Sequence, residues 1–407
     1  MIHYFQRLGE RIEQEWLERS YDEEVFPQLV LDALRQDPPF GQVEVTEIID
    51  WVFGSSYSFP QPSRDSLFGE PPVSLFHAPR FFIEALFWRS STTAIHEHAF
   101  TGAFAVLAGA SVHSQWRFAL ERTVNSRMLC GRLERVSTEF LSTGDMRPIH
   151  AGGQLIHQLF HLDVPSVTIV VRTYVDRNHL PQYLYLPPGL ATDGEGPDPL
   201  RARRMIFLDA MACGQIKGLE EYAGRLIRGG DLETVYHTFA ALNRHQVDEG
   251  LLKELYRAGR EHHGDIVDLF RRVCEGERRY ARVTGLRAQV VDPEARFFLA
   301  LLMLMPDRDA VFDAIRRRFP AVEPLPMIET WVAGMAKLTG LNFTEVNRTI
   351  FLGLVEGLDG EALLQRYELE SDAVLSNPDW LLGQAKKMAR SDLFYPLFSE
   401  SPFREGI

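Results

Sequence analysis

Apolar positions near the start of the chain recur every three or four residues. Phe5, Leu8, Ile12 and Trp16 fall on one helix face, so the first 55 residues or so are expected to be mostly helical. Val45–Phe53 predicts one more short helix, with a strand as the alternative because of its β-branched residues. Residues 54–80 are rich in Ser, Pro and Gly and predict a loop. From residue 81 the texture changes. Phe81–Trp88, Gly102–Leu107, Ser111–Leu120, Cys130–Phe140 and Ser166–Tyr174 are short, rich in β-branched and aromatic residues, and broken by Gly and Pro. Such a series predicts a sandwich or barrel. Residues 188–204 are polar and Gly/Pro-rich and predict a linker that includes Arg201, Arg203 and Arg204. Beyond it the period is helical, with Leu251, Leu252, Leu255 and Tyr256 on one face and Ile328, Trp331, Met335 and Leu338 on another. The expected division is 1–195 for a barrel domain with a helical N-terminal extension and 205–407 for an all-α domain. No chemical motif is recognised in the helical half.

Composition narrows the function classes. The chain has 407 residues, 45% hydrophobic and 24% charged, as an ordinary globular protein does. Its 56 acidic and 43 basic side chains give a net charge of −13, which argues against nucleic acid as a partner. The longest apolar runs fall far short of the ~18–20 residues of a membrane span. The N-terminal segment is charged and lacks the apolar stretch of a signal peptide. Cys130, Cys213 and Cys274 are odd in number and far apart, so they predict neither a disulfide framework nor a Cys-x-x-Cys metal knuckle. A cytoplasmic location is expected.

The chemistry is concentrated in Ile95-His96-Glu97-His98. On a strand, residues i and i+2 face the same way, so His96 and His98 project together and offer half a site for a divalent transition metal. The Gly-Ala-Phe-Ala-Val-Leu-Ala-Gly segment ending at Gly109 reads as the next strand and its turn. A third ligand has to come from further on, where His150, His157 and His161 cluster. His157 and His161 are four apart and would share a face on a helix as well. His113 faces either the barrel interior or solvent.

These residues resemble the cupin superfamily, whose first motif is a His-x-His strand followed by a Gly and whose second supplies a later His. Within it the chain is most similar to the cysteine-dioxygenase-like (thiol dioxygenase) group, over about residues 80–190. Ile95–His98 and Gly109 match the first motif, His157 matches the third ligand, and Tyr174 falls at the relay tyrosine. The carboxylate ligand of many cupins would stand at residue 102 or 103, which are Gly and Ala here. Arg172 and Val170 occupy the other relay positions. The resemblance implies a small antiparallel β-barrel (cupin, or double-stranded β-helix), and together with the helical periods it gives an expected α+β protein with N-terminal helices and an all-α C-terminal domain. The implied metal site is His96, His98 and His157, with His161 or His150 as rivals for the third place.

Three neutral imidazoles leave open positions where a substrate and dioxygen can meet on Fe(II), although Zn, Mn and Ni also suit imidazole. Glu97 and Asp163 are the expected hydrogen-bond partners of the ligating rings, with Glu97 turned away by strand alternation. Arg172 is expected either to grip a substrate carboxylate or to form a salt bridge with Asp163 or Glu139. Tyr174 is expected either to donate a hydrogen bond to bound oxygen or substrate, or to pack as a strand aromatic. The leading expectation is thus a mononuclear non-haem iron dioxygenase acting on a small polar molecule, amino-acid-derived or a thiol. A non-redox cupin isomerase, lyase or hydrolase is the second, and a non-catalytic ligand-sensing cupin the third. The helical half has three open roles: homo-oligomerisation, partner binding, or a lid over the barrel.

Overall fold

A computed structural model describes residues 1–54, 69–89, 92–214, 216–245, 247–370 and 377–404. Three helices come first: α1 (Ile2–Leu17), α2 (Phe26–Gln36) and α3 (Val45–Phe53). Phe5, Leu8, Ile12 and Trp16 are all buried along α1, as their spacing requires. A reciprocal Glu44–Glu47 capping box starts α3 and resolves the helix-or-strand alternative. Residues 55–68 of the expected loop lie outside the described residues. Its end does not remain a loop, because β1 (Pro72–His77) pairs with the next strand.

The β-region continues with β2 (Phe81–Trp88), β3 (Ile95–His96), β4 (Gly102–Ala108), β5 (Ala110–Asn125) and β6 (Met128–Ser142). It ends with β7 (Met146–Ile149), β8 (Ile156–His161), β9 (Ser166–Thr173), β10 (Tyr183–Leu186) and β11 (Leu190–Asp193). Two antiparallel sheets result. One is five-stranded, in the order β1-β2-β9-β4-β7. The other closes into a six-stranded ring, β10-β11-β6-β5-β8-β3.

Every residue of β2 is buried because both faces of its sheet are covered. Phe81, Ile83, Ala85 and Phe87 pack on α1 and α2 in one core with Ala103, Ala105, Val167, Ile169 and Val171. The alternate residues Leu86, Trp88, Phe104 and Val170 face the other way, into a second core with Leu155 and Leu159. Gly109, at φ +84°, makes the tight turn from β4 to β5.

The stretch 188–204 is not a plain linker. Turn residues flank β11 and mask it, and Asp198 caps α4 (Pro199–Ala212), which carries all three arginines of the basic cluster. Then follow α5 (Leu219–Gly229), α6 (Leu232–Asn243), α7 (Glu249–His263) and α8 (Ile266–Gln289). Met128, Cys130 and Leu190 of the ring share one core with Leu208, Ile227, Phe239 and Phe270 of these helices. The chain forms one compact unit over Met1–Arg278 and another over Arg279–Ile407, with the division inside α8.

The second unit is helical throughout its described residues. It contains α9 (Pro293–Leu304), α10 (Arg308–Arg318), α11 (Pro324–Gly334), α12 (Ala336–Thr339), α13 (Glu345–Glu356), α14 (Gly360–Glu370) and α15 (Pro378–Ala389). Trp331 stacks on Phe298 at 5.3 Å, and Phe351 meets Phe394 and Phe398 at 5.2 and 5.3 Å.

One partly buried ionisable group in the first unit sets a pH dependence. Burial pushes the His237 imidazole of α6 down from 6.5 to about 4. Between those values the unfolded chain takes up a proton that the folded one refuses, so stability is lost as the pH falls through that window. His237→Asn is expected to flatten the loss by ~1 kcal/mol per pH unit, read from urea unfolding at pH 7, 6 and 5.

Candidate metal centre

The ring's register assembles a histidine cluster. His96 on β3 lies directly opposite His157 on β8. The expected His-x-His strand is shorter than predicted, since β3 ends at His96, yet His98 reaches the same cavity. The ring nitrogens of His96, His98 and His157 all lie within 4.8 Å of one another, and all three residues are buried. His98 Nε2 and His157 Nε2 are 2.8 Å apart. At that distance the two nitrogens can share a proton or bind one cation together.

Burial keeps these rings neutral. It pushes His96 down to about 4, and His98 and His157 well below their ordinary value. Hydrogen bonds orient two of them. His96 Nδ1 donates to the Ala94 carbonyl at 2.8 Å, which places the ring's lone pair on Nε2. His157 Nδ1 contacts His113 Nε2 at 3.0 Å, and His113 Nδ1 contacts Glu139 Oε1 at 2.8 Å. A carboxylate only accepts, so His113 donates to Glu139. With Nδ1 donating, the lone pair of the His113 ring at Nε2 can accept from His157 Nδ1–H, which places the His157 lone pair on Nε2. This donor set of neutral, buried imidazoles fits a divalent transition metal.

His150 and His161 are not part of the cluster. His161 shares the strand with His157, which removes the helical alternative. Its ring stacks on Trp88 at 4.7 Å and its Nδ1 meets Ser166 Oγ at 3.0 Å. His113, open in the sequence, is 1% exposed and points inward. The expected partners Glu97 and Asp163 do not hold the rings. Glu97 instead accepts from the Tyr185 hydroxyl at 2.7 Å. Glu139 holds His113, and that hydrogen bond together with Arg147 lowers its carboxyl to about 2.

No side chain fits at the position where the resemblance places a carboxylate ligand. A Cβ on Gly102 would collide with the Val171 carbonyl across the β4–β9 pair, and Ala103 faces the helical core.

The histidines open on a cavity of about 50 Å³ between the two sheets. At roughly 10–15 Å³ per water, that is room for a few waters or a small ligand group. Leu86, Trp88, Phe100, Phe104, Leu159 and Val170 make its walls largely apolar. Arg172 reaches the cavity, paired not with Asp163 or Glu139 but with buried Glu84, its Nε 2.7 Å from Oε1. The guanidinium also lies over the rings of Phe82 and Phe100, at 4.5 and 4.3 Å.

The structure does not bring Tyr174 to the histidines. β9 ends at Thr173, so the alternation that turns Thr168, Val170 and Arg172 inward stops short of it. Tyr174 is 41% exposed and donates to the Ala78 carbonyl at 3.2 Å.

No family model and no curated protein matches this chain. Among solved structures it is similar to KdgF from Halomonas sp., at 17% identity over 27% of this chain and 83% of that one, with a TM-score of 0.19. A cupin-2 domain containing protein from Shewanella frigidimarina matches at 13% identity over 32% and 94%, TM-score 0.20. Hydroquinone 1,2-dioxygenase from Sphingomonas sp. TTNP3, solved with 4-hydroxybenzoate, matches at 11% identity over 26% and 68%, TM-score 0.21.

Proposed function

We propose that the protein is a mononuclear metalloenzyme of cupin type. Its His96, His98 and His157 hold Fe(II), for dioxygenase chemistry on a small polar molecule of amino-acid or thiol type. The observation that carries the reading is the convergence of three buried, neutral imidazoles on one point. Bound there, Fe(II) supplies adjacent open positions for substrate and dioxygen.

The chain's own residues set what the site accepts. The imidazoles bring no negative charge, and that of Glu84 is balanced by Arg172. A dication in so apolar a cavity favours an anionic co-ligand, such as a carboxylate or thiolate. Arg172 keeps its terminal nitrogens for such a group, because Glu84 engages Nε.

The test is elemental analysis of anaerobically purified protein, wild type beside His98→Ala. About one iron per chain, absent from the variant, is expected. Zinc, manganese or nickel at that occupancy would move the reading to Lewis-acid chemistry in an isomerase, lyase or hydrolase. No metal in either protein would overturn it.

A further inference from the structure

We propose that His113 and Glu139 form a built-in relay that fixes the donor atom of His157 and strengthens it, so that they tune the metal centre without touching the metal. The proposal rests on the metal-centre reading above and deepens it.

The relay follows from register. In the closed ring β8, β5 and β6 are consecutive neighbours. His113 on β5 lies directly opposite Glu139 on β6. His157 on β8 lies opposite Gln115, one same-face step along β5 from His113. Both hydrogen bonds thus run across the ladder rather than along a strand, with N···O 2.8 Å and N···N 3.0 Å. The far end is anchored as well. Arg147 on β7, in the other sheet, donates through Nε to Glu139 Oε1 at 3.0 Å and through Nη2 to Oε2.

Exposure grades along the path. Arg147 and Glu139 are 31% and 32% exposed, whereas His113 is 1% exposed and His157 is buried. A chain of hydrogen bonds ending on a carboxylate polarises each member in turn, pushing electron density toward His157 Nε2.

The test titrates Co(II) into the metal-free 407-residue chain, reading affinity by competition and the ligand-field spectrum in the visible. His113→Phe keeps a ring but has no nitrogen. It is expected to lose about 10–100-fold in affinity and to shift the Co(II) bands. His113→Gln can accept from His157 and donate to Glu139, and is expected to recover most of both. Glu139→Ala, at the solvent end, is expected to shift the bands in the same direction with a smaller loss, and it carries the test if His113→Phe fails to fold.

Wild-type affinity and spectrum in a folded His113→Phe, or in Glu139→Ala, would overturn the relay and leave the metal centre standing. Equal losses in His113→Phe and His113→Gln would reduce His113 to packing and overturn it too. A wild-type protein that binds no Co(II), or a His98→Ala that binds it equally well, would overturn the metal-centre reading and the relay together.

Discussion

Loading the protein with Fe(II) under anaerobic conditions is expected to raise the unfolding free energy of the barrel unit by ~4 kcal/mol when free metal stands at a thousand times Kd. His157→Ala is expected to abolish that gain. The three candidate ligand nitrogens come from two neighbouring strands and the segment after β3, and they converge only once the ring has closed. An unfolded chain carries the same histidines without the cluster, so an ion held there binds the native state far more tightly and its binding free energy becomes folding free energy. Urea unfolding followed by circular dichroism, with and without metal, measures the difference. A gain that persists in His157→Ala would place the ion elsewhere on the chain.

The second large effect is expected at the other end of the cavity. Glu84→Leu should destabilise the barrel by ~3–5 kcal/mol, because it leaves the Arg172 guanidinium without its carboxylate in an apolar site. Glu84 is 4% and Arg172 14% exposed, so bulk water replaces the lost partner only poorly. The double variant Glu84→Leu/Arg172→Met should recover most of the loss, since a matched apolar pair replaces a matched charged one. Thermal and urea unfolding of the metal-free set separates these terms from metal binding. A single variant within ~1 kcal/mol of wild type would mean the pair is screened like a surface ion pair.

Local pattern carried much of this structure. The limits of α3 and β2 match the sequence reading because their apolar residues lie next to one another in the chain, and period alone identifies such segments. The His96–His98 pair was legible as a local spacing, and His157, 59 residues beyond His98, through the resemblance. Features that depend on long-range register were not. Glu139 reaches His113 only through the pairing of β5 with β6, which no local window reveals. The one available signal was the run Ser111, His113 and Gln115, polar residues on one face at the start of a strand. Glu84 was hidden as a lone charge in Phe-Phe-Ile-Glu-Ala-Leu-Phe-Trp, where its partner comes from a strand 88 residues later. Tyr174 shows the converse failure. A residue at the right count along the chain misses the cavity because its strand stops one position early. The linker reading of 188–204 failed because turn residues surround a strand only four residues long.

The close approach of β4 to β9 at Gly102 has a bearing on how this centre can evolve or be redesigned. A fourth protein ligand cannot be gained there by a single codon change, because the obstacle is a neighbouring carbonyl of the main chain rather than an exchangeable side chain. Ligand number at that position is written into strand spacing. Drift in the cavity walls can therefore change what is bound without changing how many donors the barrel offers, and a laboratory attempt to add a carboxylate would have to remodel two strands first.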